Sequence, residues 1–125
     1  MTQEEMENYF PTVFPKMFKG KYGGIACNVG WFNILNQLCQ NIQSRLDWHP
    51  EVEQVVVEQV KEKFGALRFY ISGGDEYIQG LVRMAESISG VTCESCGNPG
   101  ETRHGGWIHV YCDHCESKHQ TEKSI

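Results

Sequence analysis

Residues 53–72 read EQVVVEQVKEKFGALRFYIS, and this run decides the fold class. Val56, Val60 and Phe64 recur among the charged residues Glu58 and Glu62, and Leu67, Phe69 and Ile71 then alternate with Arg68 and Tyr70. Gly65 lies near the midpoint, where a turn is needed. Alternation on both sides of a glycine predicts a β-hairpin with one apolar and one charged face. On the charged face Lys61, Lys63 and Arg68 are candidates to meet an acidic partner. Glu58 and Glu62 lie among them and are placed for cross-strand ion pairs, so an ordinary solvated face is the favoured reading.

Helical signals flank the hairpin. From Trp31 to Leu46 the positions Trp31, Ile34, Leu35, Leu38, Ile42 and Leu46 keep helical spacing and leave an Asn/Gln-rich face for water. Asp47-Trp48-His49-Pro50 ends this helix, because a proline biases the residue before it toward extended backbone, and His49 reads as a turn residue rather than a ligand. After the hairpin, Gly73-Gly74-Asp75 leads into a second helix capped by Asp75, with Ile78, Leu81, Val82, Ala85 and Ile88 as its buried stripe. Gly80 within that helix predicts close packing. At the start of the chain, Thr2-Gln3-Glu4-Glu5 is a capping box for a short helix whose apolar side is Met6, Tyr9 and Phe10. Pro11 and Pro15 are expected to interrupt it, with Phe14, Met17 and Phe18 as further anchors. Residues 19–30 hold Gly20, Gly23, Gly24 and Gly30 and read as a loop; without a Gly-Lys-Ser/Thr ending it does not fit a phosphate loop. Helices around a hairpin make residues 1–90 an α+β domain.

Beyond residue 90 the chemistry is set by spacing. Cys93, Cys96, Cys112 and Cys115 form C-x2-C-x15-C-x2-C. Each C-x-x-C turn aims two thiolates at one point, and two such turns close four sulfurs about 2.3 Å from a tetrahedral Zn2+. Four protein ligands fill the ion's shell, so it is expected to hold the fold rather than to catalyse. Residues 91–117 therefore read as a zinc ribbon packed on the preceding helix, and residues 118–125 as a tail. Gly105-Gly106 predicts a two-residue hairpin turn in which His104 faces Trp107 and Thr102 faces His109. That register puts His104, Trp107, His109 and Tyr111 on one side and Arg103, Ile108 and Val110 on the other. The Ile/Val side suits packing on the main domain. The Trp/His/Tyr side is a candidate contact surface, and equally a shield for the metal site. Replacement of a cysteine ligand by His114 or His119 would open the site, but no nucleophile elbow and no H-E-x-x-H accompanies them, and Asp113 and Glu116 read as surface residues. No enzyme is predicted.

Composition narrows the partners. Hydrophobic residues at 40% suffice for a packed core, and the net charge of −5 lacks the basic excess of a general nucleic-acid binder. No apolar run reaches the roughly 20 residues that span a bilayer, and the acidic N-terminus lacks signal-peptide features, so a cytoplasmic protein without a membrane role is expected. Reducing conditions there favour thiolate coordination over disulfides and leave Cys27 and Cys39 as small packed residues.

Gly30-Trp31 at a helix start, Val60-Lys61-Glu62-Lys63-Phe64-Gly65-Ala66-Leu67-Arg68-Phe69-Tyr70, Cys93-Glu94-Ser95-Cys96-Gly97 and Gly106-Trp107-Ile108 before Cys112-Asp113-His114-Cys115 together resemble a family of small zinc-ribbon proteins encoded by phages and bacteria. The resemblance spans roughly residues 28–115. It implies the fold and the zinc, and it transfers no catalytic residue. Its phage association implies a protein that acts in the host cytoplasm by binding a host protein, such as a defence component or an enzyme that it inhibits, with Trp107, His109, His104 and Tyr111 at the contact. The competing expectation is a nucleic-acid module, with Lys61, Lys63, Arg68 and Arg103 on phosphates and Trp107 or Tyr111 on bases.

Overall fold

Thr2 caps the first helix, α1 (Gln3–Val13), through the expected box: its side chain accepts from Glu5 N at 3.1 Å and its own N–H donates to Glu5 Oε1 at 2.8 Å. The computed structural model describes residues 1–123, of which these are the first ordered turn. Pro11 does not end α1, contrary to expectation; it sits in the last turn, where its missing N–H costs one hydrogen bond, and the helix closes with Phe14 N on Phe10 O at 2.8 Å. The rings of Tyr9, Phe10, Phe14, Phe18 and Phe32 then pack edge to face, tilted or, for Phe10 on Phe14, stacked, and Tyr9 donates to Asn36 Oδ1 at 2.8 Å.

The glycine loop contains a short strand that its sequence does not announce. β1 (Ile25–Ala26) pairs in parallel with β2 (Val56–Lys63), which pairs antiparallel with β3 (Ala66–Ser72), giving the sheet order β1-β2-β3. A 3-10 turn at Val29–Trp31 feeds α2 (Phe32–Trp48), and α3 (Glu76–Ser89) follows the hairpin. Asp75 caps α3 by accepting from Ile78 N at 3.0 Å, and Arg45 of α2 donates to its other oxygen at 3.0 Å. α3 packs against β3 and α2 against α3, and 21 residues from Met6 to Ala85 form one buried cluster. The fold is α+β, with four helices, two small sheets and a C-terminal cysteine cluster among the described residues.

Two departures from simple alternation matter. The pairing register shifts between Val57 and Gln59, so Val57 joins Val60 in the core while Val56 is only partly buried. Phe64, expected on the apolar face, is instead the first of two turn residues: Phe64 and Gly65 have φ of 54° and 80°, and the ring is 70% exposed. The stripe of α3 is also wider than the core covers. Ile78, Val82, Ala85 and Ser89 are buried, but Ile88 is 43% exposed. Gly80 faces open space, with no atom of the chain near the position its Cβ would take, so close packing within the chain is not its reason.

Side chains close both sheet edges. On β3, Leu67 N donates to Ser89 Oγ at 2.9 Å and Phe69 N to Glu86 Oε2 at 3.0 Å. On the β1 side, Gln3 Nε2 donates to the carbonyls of Ile25 at 3.0 Å and Cys27 at 2.9 Å. Edge groups satisfied in this way do not template another strand.

The C-terminal module consists of β4 (Glu101–Arg103), β5 (His109–Tyr111) and α4 (Asp113–Lys123). The expected tail is helical as far as Lys123, while Ser124 and Ile125 lie outside the described residues. The module reaches past α3 to α2. Its first cysteine turn is seated on the entrance to α2, where Gly30 N donates to Glu94 O at 2.8 Å and Trp31 Nε1 to Thr92 O at 2.9 Å. A methyl group on Gly30 would overlap the carbonyl oxygens of Cys93 and Glu94, so the Gly-Trp pair is the seat of the module. Ile108 and Val110 pack over Gly65 from the other side, which agrees with the predicted role of the Ile/Val face.

Candidate metal centre and the aromatic face beside it

The four cysteine sulfurs converge. Sγ atoms of Cys93, Cys96, Cys112 and Cys115 all lie within 4.8 Å of one another, and Cys96 and Cys112 are 3.6 Å apart. Bonds of about 2.3 Å to a tetrahedral centre put sulfurs about 3.8 Å apart, so the cluster fits one metal ion with no oxygen or nitrogen ligand. No disulfide joins them. Local backbone prepares the thiolates. Cys115 N donates to Cys112 Sγ at 3.4 Å, and this hydrogen bond, at the start of α4, lowers the Cys112 thiol to about 7. Burial pushes Cys115 up to about 12, the penalty a bound cation would reverse. Cys27 and Cys39 lie buried in the main core, and burial raises both, Cys27 to about 12, as expected of packed thiols. Glu94, between the first two cysteines, is buried and accepts from Asn28 N at 3.0 Å; desolvation raises its pKa, and that hydrogen bond opposes the rise.

The β4–β5 register differs from expectation by one residue. Arg103 pairs with His109, Thr102 with Val110 and Glu101 with Tyr111, which leaves a five-residue loop, 104–108, in place of a two-residue turn. Only Gly105 of the glycine pair takes positive φ, at 136°. The shift alters the candidate contact residues. His109 is buried beneath Trp107, with ring centroids 3.9 Å apart and planes 21° from parallel. Its Nε2 lies 2.7 Å from Glu116 Oε1, and its Nδ1 lies 3.0 Å from Trp107 O. The hydrogen bond from His109 holds the Glu116 carboxyl below its usual range. His109 is therefore an internal support, not a contact residue. Tyr111 and His119 stand edge-on to Trp107 at 5.8 and 5.1 Å, leaving Trp107 45% exposed on a rigid aromatic pedestal. His104 and His114 are exposed and not among the converging ligands, although His114 and His119 line a cleft beside Cys96 and Cys115.

The basic candidates separate as well. Arg103 is committed inside the module: it donates to Tyr111 O at 3.0 Å and to Asp113 Oδ1 at 2.9 Å, and pairs with Glu101 at 3.1 Å. Lys61 sits directly opposite Arg68 on the outer face of the hairpin, with Lys63 beside them and Tyr70 exposed. The cross-strand ion pairs expected with Glu58 and Glu62 do not form; Glu62 instead accepts from Gly65 N at 2.7 Å.

Phe64 is the residue that alternation misses. It faces Trp107 across a cleft of about 430 Å³ lined by Glu62, Lys63, Phe64, Gly105, Gly106, Trp107 and Ile108. A two-residue hairpin loop of this kind needs positive φ at both positions, a demand Asn, Asp or Gly meets cheaply and Phe does not. Its immediate precedence to Gly65 was the signal that could have placed it at the turn.

Searches against protein families, curated proteins and solved structures find no match to this chain. Among the described residues, no helix is long and apolar enough to cross a membrane.

Proposed function

We propose that this chain is a zinc-stabilised interaction protein, its ribbon fixed by Cys93, Cys96, Cys112 and Cys115, that binds a host protein through Phe64 and Trp107. One observation carries this reading. Two exposed aromatic rings flank a single cleft, one of them held at a backbone angle that costs a bulky residue roughly 1–3 kcal/mol. An exposed ring there gives folding little beyond the Lys63 ammonium 5.6 Å over its face, whereas rigid aromatics beside a cleft are the usual anchors of protein interfaces. The closed sheet edges favour side-chain insertion over strand addition, and the four-sulfur shell supports a structural ion, not a catalytic one. The resemblance to small phage and bacterial proteins supports a host protein, such as a defence component, as the target, with inhibition as the outcome.

Affinity capture from nuclease-treated bacterial lysate, using the zinc-loaded chain, tests it. A protein retained by wild type and lost by both Phe64→Asn and Trp107→Ala, with metal content and circular dichroism unchanged, is expected. Equal capture by both variants sinks the assignment of this surface. Lys61, Lys63 and Arg68, none in an ion pair and flanked by exposed Tyr70, favour one second reading: a nucleic-acid contact on the hairpin's outer face. Such binding must weaken steeply as salt rises, and a flat salt response removes it.

A further inference from the structure

Outside that cleft an exposed apolar seam runs along α3. Tyr77, Leu81, Met84 and Ile88, with Val91 just past the helix end, repeat at intervals of four, three, four and three, the spacing of a coiled-coil contact stripe. Met84 is 62% exposed, and Tyr77, Ile88 and Val91 are also exposed. Between this seam and α2 runs a groove lined by Ile34, Gln37, Leu38 and Asn41 on α2 and by Leu81, Met84, Ala85 and Ile88 on α3. The core stripe Ile78, Val82, Ala85 and Ser89 already accounts for the inner side of α3, so the seam is a second apolar face that the chain leaves open apart from the Arg45 guanidinium, 4.5 Å over the Tyr77 ring.

We propose that a second copy of the chain covers it, α3 packing antiparallel on α3 about a two-fold axis. Three observations select this occupant. First, the eight residues of the groove are all neutral in a chain of net charge −5. Next to a two-fold axis a residue meets its own copy, so a charge there would face its like, and a neutral patch avoids that repulsion. Second, the spacing is self-complementary. Antiparallel pairing sets Leu81 of one copy against Met84 of the other and Tyr77 against Ile88, closing the layers within the helix with apolar groups on both sides and leaving Val91 beyond the paired span. Third, Gly80 borders the seam in mid-helix and meets nothing in its own chain. Glycine is a poor helix former, and a bare backbone there is explained by a second helix approaching closely. The seam shares no residue with the Phe64–Trp107 cleft, so a dimer presents two such clefts.

Sedimentation equilibrium of the full zinc-loaded chain from micromolar to millimolar concentration tests the proposal. Wild type is expected to approach twice the 14.3 kDa chain mass and to dissociate on dilution. Met84→Glu, at an exposed position that leaves folding intact, is expected to sediment as a monomer with unchanged circular dichroism, as is Gly80→Leu. Arg83→Glu, one position away and outside the seam, is expected to dimerise like wild type. A wild-type monomer throughout the range, or a Met84→Glu variant that dimerises as wild type does, overturns the proposal and leaves the seam to a helix of another protein.

Discussion

From Met6 to Ala85 the chain buries 21 residues in one cluster, whereas beyond Gly90 the only fully buried apolar residues among those described are Cys93 and Val110. The two regions are joined by Gly30 and Trp31 and differ in what holds them. The body excludes water from rings and branched aliphatics, a term that grows with the area buried. The C-terminal module is too small for such a core and instead places four sulfurs around one point, with His109, Glu116 and Arg103 cross-bracing its loop. A module of this kind is stable only while its metal and its seat are intact, and the body should not share that dependence.

Metal removal tests the contrast with the largest effect. A structural zinc site contributes on the order of 10–16 kcal/mol of apparent binding free energy, more than a module with two buried apolar residues supplies. Chelation, or Cys96→Ser, is expected to abolish amide protection across residues 91–115 while α2 and the β2–β3 hairpin stay protected, read by hydrogen exchange. Loss of protection in both regions at once would show that they form one cooperative unit.

Gly30→Ala attacks the joint. The added methyl meets backbone carbonyls of Cys93 and Glu94, which cannot swing aside as a flexible side chain does. The cost is expected at or above the roughly 3 kcal/mol upper end of ordinary overpacking, and it should fall on the module. Competition with a chromogenic chelator would then show metal released more readily than from wild type, while the body's thermal transition moves little.

Much of the chain was legible because its signals are local. Thr2 and Glu5, three residues apart, form the capping box; Asp75 precedes an apolar period; the four cysteines carry their geometry in their spacing. What escaped the sequence is set by contacts between distant segments. β1 is two residues long and exists because β2 offers it a partner. The bulge beyond Val57 moves the core from Val56 to Val57, a slip invisible to period-two counting. The loop 104–108 takes five residues in place of two, a one-residue shift of register that the Gly105-Gly106 pair does not announce. The seat of the module on Gly30 joins positions more than 60 residues apart, and nothing local to Glu94 announces it.

Ser89→Ala probes the body where its protection is a single side chain. The Ser89 hydroxyl accepts from Leu67 N and donates to Glu86 O, at a fully buried position. Alanine there leaves Leu67 N without its partner in the core, at a cost of about 1–3 kcal/mol. A lowered denaturant midpoint with unchanged metal affinity is expected, the converse of Gly30→Ala.

The smallest effect is electrostatic and belongs wholly to the body. Asp75 is held below its ordinary value of 3.8, first by the N–H of Ile78 and then by the Arg45 guanidinium. A carboxylate whose pKa is depressed by folding contributes stability above the unfolded value and loses it as pH falls through the folded value. Acidification below pH 3.8 should therefore lower the melting temperature of wild type partly through this group. Asp75→Asn keeps a side-chain oxygen for Ile78 N but removes the titration, so its melting curve should depend less on pH across that window. Identical pH profiles for the two proteins would mean that Asp75 titrates alike in the folded and unfolded chain, so that neither the N–H of Ile78 nor Arg45 favours its charged form.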